Sequence, residues 1–157
     1  MTGKHKPAPR DLSALGGDPS RQRGEWKHIG GSPSDDWNNR IAVETVAAVR
    51  LESDTRVREE QYQAAINGLI GIAPQDELEG MMAAQILAVH GAAMDHYRRA
   101  VQDEMAYPRH QELGMAHKLS RTFAGLVQTL HRHRGHASQK ITDASAGPAK
   151  GAAQRAR

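Results

Sequence analysis

From Asp35 to Leu130 the large apolar residues return every three or four positions, and no stretch alternates apolar and polar in twos. A period near 3.6 belongs to an amphipathic helix and a period of two to a strand, so the pattern predicts an all-α fold. Ser34 or Asp35 can cap a first helix, a side-chain oxygen accepting from first-turn amides. Trp37, Ile41, Ala48 and Leu51 fall near one face of it, with Glu44 intruding, and it is expected to reach about Glu52. A second helix starts after Ser53 or Asp54. Tyr62, Ala65, Ile66, Leu69 and Ile70 give it a buried face, and Gly71 lies near its end. Pro74 suits the first turn of a third helix, where a missing N–H is harmless. Leu78, Met81, Met82, Gln85, Ile86, Val89, Ala93, Met94, Tyr97 and Val101 make one wide stripe along it, over roughly residues 74–105. Pro108 marks the break, and a fourth helix is expected from about Arg109 to Arg134.

The seam of that fourth helix is Leu113, Ala116, Ser120, Phe123, Val127 and Leu130, spaced 3-4-3-4-3. Leu119 and Leu126 widen it, which favours the face of a bundle over a two-stranded coiled coil. Gly135 is the expected stop, since glycine suits the left-handed position after a helix. The third and fourth helices thus read as a long antiparallel hairpin in a three- or four-helix bundle. A glycine inside a helix costs about 1 kcal/mol against alanine. Gly80 and Gly91 on one helix therefore suggest a neighbouring backbone at close range. Wide stripes on a small core predict a homo-oligomer, with contacts drawn from Gly80, Ala84, Gly91, Leu113, Phe123 and Leu130.

Composition divides the chain. Residues 1–34 hold four of the seven prolines and six glycines, too little apolar surface to offset chain entropy, and read as a disordered basic arm. Within it Trp26 and Ile29 suggest a short segment docked loosely on the core, or a peptide for a partner. Residues 35–134 read as the helical domain and 135–157 as a second disordered basic tail. Net charge is −5 from Asp35 to Leu130, +3 before it and +5 after it. Cysteine is absent, which removes disulfides and cysteine-based zinc sites and fits a reducing, cytoplasmic setting. The N-terminus has no apolar core of a signal peptide, and Met81–Met94 is too short and too polar to span a bilayer.

Several segments together resemble a family of small uncharacterised helical proteins of alphaproteobacteria, of rhizobial type. They are Asp76-Glu-Leu-Glu-Gly-Met81, Ala92-Ala-Met94, Tyr97-Arg-Arg-Ala100, Lys118-Leu-Ser-Arg-Thr, Arg132-His-Arg-Gly135 and Gln139-Lys-Ile-Thr142. The family's pattern is similar to NKLSRT followed by NRHRGKGQQKVTV, and the likeness covers about residues 36–142. It implies a helical fold and brings no catalytic residue. His117, His131 and His136 stand where that pattern has Asn, Asn and Lys. After Thr142 this chain reads Asp143-Ala-Ser-Ala-Gly-Pro in place of a His- and Val-rich stretch.

The residues offer little catalytic chemistry. His131 and His133 point about 200° apart on a helix, and arginines flank them, so no metal is expected there. His90 and His117 lie beside apolar faces and read as buried, hydrogen-bonded histidines. Ser120 lacks the glycine turn of a nucleophile elbow and reads as a small polar residue of the seam. Asp76, Glu77 and Glu79 suit the positive end of a helix dipole. No phosphate loop or dinucleotide fingerprint is present. The chain is therefore expected to be no enzyme and to need no cofactor. Two roles remain. One is a helical interaction module that assembles with copies of itself or a partner. The other is an accessory nucleic-acid-binding protein, in a role like that of a phage terminase small subunit. There Lys118, Arg121, Arg132, Arg134 and Lys140 would meet phosphate.

Overall fold

The computed structural model describes residues 23–49, 54–102 and 105–145, with side chains as far as His136. The protein is all-α: among the described residues there are five helices and no strand. They are α1 (Lys27–Gly30), α2 (Asp35–Ala48), α3 (Thr55–Ile72), α4 (Glu77–Gln102) and α5 (Ala106–Ser145).

The starts follow from local chemistry. Ser34 Oγ accepts from the Trp37 amide to cap α2, and Asp54 Oδ1 accepts from the amides of Arg56 and Val57 to cap α3. Asp76 Oδ1 accepts from the Glu79 amide at 2.8 Å and opens α4. The helix begins at Glu77, three residues after Pro74, which lies in the linker. Pro108 falls in the first turn of α5, where its ring costs no hydrogen bond, so the helix starts before it. α3 stops at Ala73, a left-handed residue with φ 50°. Gly135 does not stop α5, which runs on to Ser145. Nothing lies within 4 Å of a Cβ added at Gly135, and no left-handed turn occurs there.

α4 lies between two apolar clusters. On one side Ala83 joins Ile29, Ile41, Ala42 and Leu69, from α1, α2 and α3. On the other Met82 and Ile86 pack on Leu130, with Phe123, Leu126 and Val127 beside it. Between α4 and α5, Asp76, just before α4, meets His133, and His96 meets Glu112.

The folded part reaches back beyond Asp35, into the arm expected to be disordered. Ile29 is 1% exposed, and Ser32 is buried. Asn38 holds that segment by its side-chain amide: Oδ1 accepts from the Ser32 amide and Nδ2 donates to the Ser32 carbonyl. Trp37 Nε1 donates to Gly30 O at 3.2 Å. Of the pair expected to dock here, Ile29 is sunk in the core while Trp26 is 53% exposed. Gly31 sits at φ 80°, and a Cβ there would lie 2.1 Å from the Asp76 carbonyl oxygen. The first 22 residues and those after Ser145 lie outside the described residues, so the expectation of disordered ends concerns chain not described.

Candidate functional site

The strongest polar cluster in the described structure gathers at the start of α4. Glu79 is 2% exposed. Its Oε2 accepts from Arg134 Nε at 3.1 Å, from Arg134 Nη2 at 2.8 Å and from the Gln75 amide at 2.9 Å. Arg134 Nη2 also donates to the carbonyls of Ile72 and Ala73 at the end of α3. One guanidinium thus satisfies orphan carbonyls of α3 and a buried carboxylate of α4 from the side of α5. Beside it His133 Nε2 lies 2.7 Å from Asp76 Oδ2.

Electrostatics follow the same contacts. Burial pushes the Asp76 carboxyl up, but its hydrogen bond and charge interaction with His133 and the amides of Glu79 and Leu78 outweigh that and hold it below its ordinary value. A hydrogen bond from Ser32 holds the Glu77 carboxyl down, aided by its own backbone amide. Asp76, Glu79 and His133 bring three ligand-type atoms within 4.8 Å of one another. Arg134 is the cation of this cluster: two of its N–H groups and a backbone amide converge on one Glu79 oxygen. A metal ion would have to displace them. The arrangement acts as a latch, tying the late turns of α5 to the start of α4.

The expected nucleic-acid contacts divide. Lys118, Arg121 and Arg132 are exposed on α5, with Arg132 Nη2 3.4 Å from Thr129 Oγ1. Arg134 is turned inward onto Glu79 and carbonyls, and phosphate would have to compete with them. The side chain of Lys140 lies outside the described residues. The expected interface residues divide as well. Gly80 is buried inside the chain, where an added Cβ would lie 2.2 Å from the Gly30 carbonyl oxygen. Leu130 belongs to the α4–α5 core, with Phe123 half-buried against it. Ala84 borders a groove with Thr45, Ala48 and Met81. Gly91 has nothing within 4 Å of an added Cβ, and Leu113 is exposed.

Both histidines expected to be buried are exposed. His90 rests against the Phe123 ring, centroids 5.9 Å apart, and His117 lies in solvent. Ser120 is half-buried, its Oγ 3.2 Å from the Tyr97 hydroxyl. The latch could have been found in the sequence by two signals. Asp76-x-x-Glu79 has the spacing of a capping box, and the seam of α5, carried four residues past Leu130, lands on Arg134. Among the described residues no helix is long and apolar enough to cross a membrane. Comparison of the chain with protein-family models, with curated proteins and with solved structures gave no match.

Proposed function

We propose that this chain is a non-enzymatic helical interaction module whose copies pair in the bacterial cytoplasm. In this reading α4 and α5 form a long antiparallel hairpin. A small bundle of α1–α3 covers one end of it, and a second copy of the chain covers the other. The resemblance to the alphaproteobacterial family agrees with this reading in its helical fold.

The observation that carries the proposal is an uncovered apolar face on α4. Ala83 and Leu87 pack on the cluster formed with α1–α3. By helical phase the same face continues through His90, Met94, Tyr97 and Val101. Met94 is 52% exposed and Val101 82%. On α5, Leu113 is exposed and Ser120 meets the Tyr97 hydroxyl. The other side of the pair is closed by charge, with His96 and Arg99 on Glu112. The one charge near this face, Arg98, is paired with Asp95 on its own helix, so the face can meet its own copy without net repulsion, and a two-helix layer needs a second layer to bury its apolar side.

Sedimentation of the full chain tests this. The wild type is expected to sediment as a dimer or larger at tens of micromolar, roughly the range of modest interfaces. Met94→Glu/Val101→Glu is expected to give a monomer with the same helical circular dichroism, since both sites are exposed in a single copy. A monomeric wild type at that concentration ends the reading.

A further inference from the structure

We propose that the outward face of α5 binds the phosphate backbone of duplex DNA without reading its sequence. Ala116 is fully buried and marks the direction of α4. At 100° per residue, Lys118, Arg121 and Arg132 all fall within about 40° of the opposite direction. Gly114 and Gly125 share that face, and neither has anything within 4 Å of an added Cβ. The result is a flat helix surface carrying three cations over about 21 Å of its length.

The charge of this face sets it apart from the rest of the surface. Arg40, Arg56, Arg98 and Arg99 each meet a carboxylate three or four residues away on their own helix. No aspartate or glutamate occurs between Glu112 and Asp143. Among the described residues, Lys118, Arg121 and Arg132 meet no carboxylate. Three cations without counter-charges, held along one rigid helix, suit a polyanion of regular charge spacing. Between Lys118 and Arg132 the outward face has no large apolar side chain, which a helix lying in a membrane surface needs. It has no aromatic ring there either, so base stacking on a single strand is not available to it. What fits is the outside of a duplex. The proposal is independent of self-pairing, which uses the side of the helix pair near Met94 and Val101.

The test is fluorescence anisotropy of the full chain with two labelled mixed-sequence duplexes of unrelated sequence, between about 50 and 200 mM salt. Wild type is expected to bind both alike, and log K to fall linearly with log salt. Each of Lys118→Gln, Arg121→Gln and Arg132→Gln is expected to flatten that slope by about 0.9, and the triple variant by about 2.7. Thermal unfolding of the triple variant should match wild type, because all three side chains are exposed. Four results overturn the proposal. They are no binding at the lowest salt, an unchanged slope in the triple variant, a strong preference for one duplex, and equally tight, equally variant-sensitive uptake by phosphatidylserine vesicles. The last would assign the face to a membrane surface.

Discussion

Arg134 joins three helices through one planar group, and its loss leaves Glu79 nearly sealed from water with a single amide for company. Breaking a fully buried ion pair costs about 3–5 kcal/mol. The Arg134 side chain is itself 40% exposed, so Arg134→Met is expected to cost about 2–3 kcal/mol, measured by urea unfolding at neutral pH. Replacing both partners, as Glu79→Leu/Arg134→Met, should recover much of that loss, since no unpaired charge is then left inside. The Asp76 carboxyl gives a second, pH-dependent signature. It is held below its ordinary value in the fold, so its contribution is present above the unfolded value and is lost as pH falls through the folded one. Stability of the wild type should therefore drop as pH falls below about 4, and Asp76→Asn should show a shallower drop in the same acid titration. Glu77, lowered by Ser32, titrates in the same sense. At this scale the sequence was legible in phase but not in partner. The seam rule places Arg134 inward and Lys118, Arg121 and Arg132 outward. It is silent about which carboxylate, some 55 residues away, the inward arginine meets.

The helices themselves were largely legible, because caps and apolar period are local properties. Ser34 and Asp54 cap the helices as their side-chain chemistry suggests. Boundaries shifted where a proline or glycine can serve more than one purpose. Pro108 sits inside the first turn of α5, and Gly135 continues the helix. The two glycines of α4 make the same point and can be tested together. Gly80→Ala would push a methyl group into the Gly30 carbonyl, backbone against backbone, and is expected to cost about 2 kcal/mol or more. Gly91→Ala meets open space and should stabilise the monomeric fold by up to about 1 kcal/mol through helix propensity. Thermal unfolding of the two variants, one shifted down and one up, checks the pair. A Gly91→Ala loss would mean that a neighbour outside this chain approaches there.

Over the whole molecule, α4 is the organising element, with a small cluster from α1–α3 on one side and α5 on the other. The stripe read from Leu78 to Val101 is wider than one copy covers. Met82, Ile86 and Ala93 are buried, while Leu78, Met81, Met94 and Val101 face outward. Periodicity counts apolar positions without counting the neighbours available to cover them, which is why the stripe suggested a full face where the chain fills only part. The segment around Ile29 reads as one docked loosely on the core, or as a peptide for a partner, and periodicity gives no sign of how firmly it is held. It is held by two adjacent glycines, the Asn38 amide and the Trp37 indole, features with little weight in a hydrophobicity count. Self-pairing and duplex binding would occupy different sides of the same helix pair, so dimer-breaking at Met94 and Val101 should leave the salt slope per protomer unchanged, a result that sedimentation and anisotropy together can read.

The latch also has a consequence in time. His96 and Glu112 are 16 residues apart, whereas His133 and Asp76 are 57 apart. Closing a longer loop loses more chain entropy, so the helix pair is expected to zip from the end near His96 and to close the Arg134 latch late. Contacts made after the folding barrier slow unfolding more than they speed folding. Arg134 and Glu79 would then set how long a copy of this protein stays folded, and the short-range contacts near the turn how quickly it gets there.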